Sequence, residues 1–118
     1  MTRQVSVEIV ARPADPVRET GPDLDGGLLR LLAEPLRARL VSLLAREQLC
    51  TCHLASATGA LPSAVSNQLR HLREAGLVER EAAGRYTYYR LRPEALAGLG
   101  ADLAALASSA EQAGKRPC

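Results

Sequence analysis

The chain has no phenylalanine and no tryptophan, and only three tyrosines among its 118 residues. A core without large rings must be built from Leu, Ala and Val, which favours helices. Cysteine is scarce too: three in all, an odd number, with no spacing of the kind that staples secreted domains. That points to reduced thiols and a cytoplasmic protein. No apolar run approaches the length of a membrane span. "VSVEIVA" near the start is too short for a signal peptide and carries Glu8. There is no phosphate-binding glycine loop and no paired base and nucleophile, and neither histidine has an acidic residue to orient it. Catalysis is therefore not expected.

Charge of either sign is not in large excess. The formal net charge is +2, which neither demands nor excludes nucleic acid, so the placement of charge must decide. The length suits one domain with a modest core, which pairing with a second chain would help.

Residues 1–22 hold Pro13, Pro16 and Pro22 and read as a flexible arm. Val5, Val7 and Ile9 alternate, as in a short strand. Residues 23–107 read as the folded domain and 108–118 as a flexible tail. Leu28, Leu29, Leu31 and Leu32 mark a first helix. Pro35 suits the first turn of a second, whose apolar face is Leu36, Leu40, Leu43 and Leu44. After an extended link, Gln48 to Cys50, a third helix is expected with Thr51 as N-cap and Gly59 at its end. "ALPS" is a tight turn, and Pro62 opens a fourth helix to Ala75 with Gly76 as its cap.

The fourth helix carries most of the functional signal. Val65, Leu69 and Leu72 form one apolar stripe. The other face shows Ser63, Ser66, Asn67, Arg70 and His71, with Gln68 beside them and no carboxylate in that set. Hydroxyls and amides match base edges, and Arg matches guanine or phosphate. A solvated helix face would look similar. The short helix and tight turn before it make the pair a helix-turn-helix. Two short runs, Val78 to Glu81 and Tyr86 to Leu91, then flank "AAGR", where Gly84 can supply the positive φ of a hairpin. A hairpin in this place is a wing. Arg80, Arg85 and Arg90 are its candidate phosphate contacts, with Glu79, Glu81 or Glu94 as rival partners. The expected fold class is thus mostly α with a small β-hairpin wing, a winged helix-turn-helix.

The last helix opens near Pro93. Leu96, Leu99, Leu103 and Leu106 step by 3, 4 and 3, a coiled-coil seam. The expectation is a homodimer joined through terminal helices at this seam. The alternative is that the seam packs only on the first helix of its own chain, and both can hold in part.

The stretch "QLCTCHLASATG" gathers Cys50, Cys52 and His53 within four positions. Residues i and i+2 of a regular helix point about 200° apart. Both thiols can meet one ion only if Cys50 lies before the helix proper. Soft thiolates select thiophilic ions. Buried free cysteine as a small apolar residue is the plain alternative.

At this point "LLAEPLRARLVSLL", "QLCTCHLA", "SAVSNQLRHLREAGLVERE" and "GRYTYYRLRPEAL" together resemble the ArsR/SmtB family of metal-responsive winged-helix repressors, over roughly Leu28 to Leu106. The resemblance implies a dimeric repressor on double-stranded operator DNA, released by As(III) or Sb(III). "LCTCHL" is similar to the ELCVCDL box of the arsenic, antimony, cadmium and lead sensors, and Cys50 and Cys52 fall on its two cysteines. His53 stands where the family has Asp. Ala55 stands where arsenic sensors have a third cysteine. Cadmium and lead sensors take cysteines from the N-terminal arm, and this arm has none. Zinc and nickel sensors use an Asp/His-rich last helix, whereas here that helix offers Asp102 and Glu111 and no histidine. Cys118 is the candidate third sulfur for As(III). His53 is its rival, and a Cys, Cys, His set suits Zn(II) or Cd(II). A repressor of the same family responding to Cd(II), Pb(II) or Zn(II), or one switched by thiol oxidation, is the alternative. A C-x-C disulfide closes a small strained ring, which counts against oxidation between Cys50 and Cys52.

Overall fold

A computed structural model describes residues 21–118. The strand expected at Val5 to Ile9, and nearly all of the expected arm, lie outside the described residues. Eight elements follow in order: α1 (Gly26–Ala33), α2 (Pro35–Leu44), β1 (Leu49–Cys50), α3 (Thr51–Thr58), α4 (Pro62–Glu74), β2 (Val78–Ala83), β3 (Tyr86–Leu91) and α5 (Pro93–Glu111). This is the winged helix-turn-helix the sequence implies, with one strand more than expected.

Local chemistry accounts for the boundaries. Asp25 caps α1, its side chain accepting from the Leu28 amide at 3.0 Å. Pro35 at the first turn ends any continuation from α1, and Glu34 caps α2 by accepting from the Leu36 and Arg37 amides at 3.1 and 3.0 Å. These two bonds hold the Glu34 carboxyl below its ordinary value. Gly76 adopts φ +80°, and behind it the Leu77 amide reaches back to the Leu72 carbonyl at 3.0 Å. This closes α4 with a left-handed glycine and turns the chain into the wing. At the wing tip Ala83 pairs with Tyr86, leaving Gly84 and Arg85 as a two-residue turn with Gly84 at φ +66°.

The core is aliphatic. Leu40, Leu54, Val65, Leu69, Leu72 and Leu77 are fully buried, and Val78 and Tyr89 nearly so. Each such Leu stabilises the fold by about 1.5–3 kcal/mol of transfer free energy. Val65, Leu69 and Leu72 therefore seat α4 by the stripe expected of them.

Three expectations gain detail, and one boundary moves. The extended link before α3 is paired as well: Leu49 and Cys50 form β1, antiparallel to β3 in a sheet ordered β1-β3-β2, with Leu49 opposite Tyr89 and Cys50 opposite Tyr88. Two residues with no alternation carry no strand signal of their own; β3 recruits them. Helix α5 runs to Glu111, past the boundary expected at 107, because its Ala-rich end contains no breaker. The seam of α5 is divided as well. Leu96 packs on the core and Leu99 is buried within its own chain, whereas Leu106 is half-buried and Leu103 keeps 47% of its surface exposed. Leu99 lines a groove of ≈ 570 Å³ with Leu28 and Leu31 of α1, so the first half of the stripe faces its own chain.

Candidate functional site

Cys50 is the N-cap residue of α3, with extended backbone (φ −88°, ψ 169°). The cap expected at Thr51 thus falls one residue earlier, because the pairing of β1 with β3 holds Cys50 extended. This puts Cys50 outside the regular helix, the one arrangement in which it and Cys52 can approach a common point. Cys50 is buried and Cys52 is exposed on the first turn. The His53 ring turns back to the cap: its Nδ1 lies 3.2 Å from Cys50 Sγ and 3.4 Å from the Cys50 amide. Nδ1 accepts when the amide or the thiol donates, and donates when it is itself protonated and the sulfur is a thiolate. His53 also faces Tyr88 of β3, with ring centroids 6.4 Å apart.

All three cysteines are free thiols, and Cys118 lies exposed beyond α5. Among the described residues, no three His, Cys, Asp or Glu side chains gather tightly enough to hold an ion. The structure brings Cys50 and His53 together, with Cys52 exposed on the first turn and Cys118 on the tail.

The second half of the site is the exposed face of α4. Ser63, Ser66, Asn67 and Arg70 are exposed, and His71 is half-buried. Arg70 is preset: its guanidinium donates to Asn67 Oδ1 at 2.6 Å and to Glu74 Oε2 at 3.3 Å. Glu74 therefore adds a carboxylate to this face that the residue pattern passed over, since it sits four residues beyond Arg70. Gln68 sits differently from its neighbours. Expected to face DNA, it is half-buried, and its Oε1 accepts from Arg37 Nη1 at 2.6 Å. Arg37 Nε donates in turn to the Leu31 carbonyl at 2.7 Å. One guanidinium thus ties the end of α1 and the body of α2 to α4.

The wing divides its cations. Arg90 forms an ion pair with Glu79, and Arg92 lies 4.0 Å from the same carboxylate. Arg80 and Arg85 are exposed, with no ion pair among the described residues.

Residues 34–80, from the cap of α2 to the first half of β2, match the family model described as "Bacterial regulatory protein, arsR family". A solved structure described as a possible transcriptional regulator for arsenical resistance is 40% identical, with a TM-score of 0.60, and the match covers 74% of this chain and 96% of that one. The chain belongs to the arsR family. Its members are DNA-binding transcriptional regulators, not enzymes. A curated relative, the transcriptional repressor SmtB homolog of Synechocystis, is 53% identical over 60 residues. That match covers 51% of this chain and 46% of the relative, so the chain spans about half of that protein's length. The homodimeric winged helix-turn-helix domain of a possible ArsR-family regulator from Mycobacterium bovis is 30% identical with a TM-score of 0.57, covering 76% of this chain and 84% of that one.

Within the arsR frame, four residues that pattern reading missed now have visible work: Glu34, Arg37, Glu74 and Tyr88. The "AEPLR" run did hold a signal for Glu34, an acid directly before a helix-opening proline. No sequence signal pairs Arg37 with Gln68, 31 positions apart. No helix among the described residues is long and apolar enough to cross a membrane.

Proposed function

We propose that this chain represses transcription as a homodimer on operator DNA and lets go when As(III) or Sb(III) binds the thiols of Cys50 and Cys52. The observation that carries this is the position of Cys50. It is at once the cap of α3, which packs on α4, and the strand partner of Tyr88 in the wing. Any rearrangement that brings Cys52 toward Cys50 acts on both DNA-gripping elements together. The two thiolates are the donors; As(III) takes about three sulfurs, and Cys118 or an external thiol completes the set. Because ion and DNA compete for one segment, DNA must weaken ion binding by the factor that the ion weakens DNA binding.

Dimerisation is supported by the half-open seam of α5, where Leu103 and Leu106 have no cover equal to that of Leu99, and by the likeness to a homodimeric domain. Two copies of α4 then enter successive major grooves about one turn apart. Ser63, Ser66, Asn67, Arg70 and His71 face the bases or backbone, and Arg85 at the wing tip reaches phosphate.

A Cd(II), Pb(II) or Zn(II) response is the second reading. The Cys50–His53 contact favours it, since a Cys, Cys, His donor set suits borderline ions. Titrating a fluorescent duplex complex with each ion separates the two. Release by low-micromolar As(III) supports the first reading. Release by Cd(II) alone overturns it, and release by peroxide in metal-free buffer points to thiol oxidation. Cys50→Ser and Cys52→Ser should each abolish release, and Cys118→Ser shows whether the tail supplies the third sulfur. DNA binding itself should weaken about 10³-fold between roughly 50 and 200 mM salt if ~6 phosphates are neutralised.

A further inference from the structure

Leu61 departs from two local rules at once. It is the N-cap of α4, a position that strongly prefers Ser, Thr, Asp or Asn, and it makes no side-chain cap bond. It is also the most exposed large hydrophobic residue among those described, at 72%. A single exposed Leu is ordinary on most surfaces. Here the exposure falls at the entrance of the one helix whose outer face is otherwise Ser63, Ser66, Asn67 and Arg70. A cap that neither caps nor packs is expected where function overrides stability.

The backbone around Leu61 is held on both sides. Thr58 Oγ1 donates to the Leu54 carbonyl at 2.8 Å and accepts from the Ala60 amide at 3.2 Å. Gly59 turns at φ +73°. Pro62 follows at the first helical position and confines Leu61 to extended backbone, observed at φ −64°, ψ 144°. The Leu61 carbonyl accepts from the Val65 amide at 3.0 Å. Ala60, one residue earlier, turns inward against the core. The Leu61 side chain is therefore an apolar projection from a fixed stretch of backbone, largely exposed to solvent.

We infer that Leu61 is a specificity residue that reads the C5-methyl group of a thymine in the major groove. The inference rests on the DNA-binding reading above. Residues at the N-terminal end of a recognition helix meet base edges. The thymine methyl is the apolar feature a base pair shows there, and the hydroxyls and amides farther along α4 cannot use it.

The test selects duplexes from a random pool with the wild-type chain, with Leu61→Ala and with Leu61→Ser. Leu61→Ser restores a favoured cap, so its melting temperature should rise, and a loss of affinity then cannot come from poor folding. Wild type should select a thymine at one fixed place in each half-site. Exchanging that thymine for deoxyuridine, which removes only the methyl, should weaken wild type about four-fold per contact. Both variants should bind thymine and uracil duplexes alike. If uracil exchange at every position leaves wild type unchanged, or if Leu61→Ser keeps the wild-type preference, the inference fails while DNA binding stands; the latter result would assign Leu61 to a protein surface. If wild type enriches no duplex, the DNA-binding reading and this inference fall together.

Discussion

The bond from Arg37 to Gln68 offers a sharp test of how α4 is held. The Leu31 carbonyl belongs to the last turn of α1, where no amide remains to satisfy it. Arg37 Nε fills that need at 2.7 Å, and Nη1 grips Gln68 at 2.6 Å. Replacing Arg37 with Met keeps most of the aliphatic stem and removes both bonds. A hydrogen bond to a charged group contributes about 1.5–3 kcal/mol, and because Arg37 is only half-buried the lower end applies to each bond. Water re-solvates part of the loss, so Arg37→Met should cost about 2–3 kcal/mol. Gln68→Met removes one bond and should cost about 1–2 kcal/mol. The double variant should cost less than the sum by about 1 kcal/mol, the coupling of the shared bond. Urea unfolding followed by circular dichroism reads this directly. With a slope of about 1–3 kcal/mol per molar, the midpoint of Arg37→Met should fall by roughly 0.7–3 M. Protein concentration must be held fixed, since dimerisation would shift every midpoint. Single losses that add within about 0.3 kcal/mol would refute the claim that this bond seats α4.

Three further outcomes follow from the same geometry. Leu69→Ala, at a fully buried position of α4, should lose about 2–5 kcal/mol in the same unfolding assay. Glu34→Gln tests the cap of α2. The folded-state carboxyl is lowered from 4.5 by the Leu36 and Arg37 amides, so its contribution is present above that value and is lost as pH falls through the lower folded one. The variant should therefore lose less stability than wild type between pH 6 and the acid range, as followed by melting temperature. Gly84→Ala should cost about 1 kcal/mol from the positive φ alone, because the added Cβ would meet nothing within 4 Å; Gly84→Asn should restore part of it, and a thermal melt distinguishes the two.

Most of the architecture is legible before any coordinates because its signals are local. Prolines at 35, 62 and 93 open helices, glycines at 59, 76 and 84 turn the chain, and Val65, Leu69 and Leu72 keep helical spacing. The cysteine box is equally legible as a motif. Its geometry is not. Whether Cys50 lies inside or outside α3 depends on β1, and β1 exists only because Tyr88 and Tyr89 arrive from nearly forty residues downstream. Gln68 illustrates the same limit from the other side: its place on α4 suggests an outward amide, and only a neighbour from α2 turns it inward. The four-leucine seam of α5 looks uniform along the chain, yet Leu99 is buried within its own chain while Leu103 keeps 47% of its surface exposed.

By itself the sequence determined which segments are helical, where most of them open and which face of α4 is buried. These follow from backbone sterics and hydrophobic spacing within a few residues. The tertiary structure alone decided that Cys50 is a cap joined to the wing, that His53 turns back on it, that Arg37 holds Gln68, and that Leu61 projects free at the entrance of α4. Those outcomes depend on which distant segments meet, and the long-range pairing of strands and helices is set by the packing of the whole core.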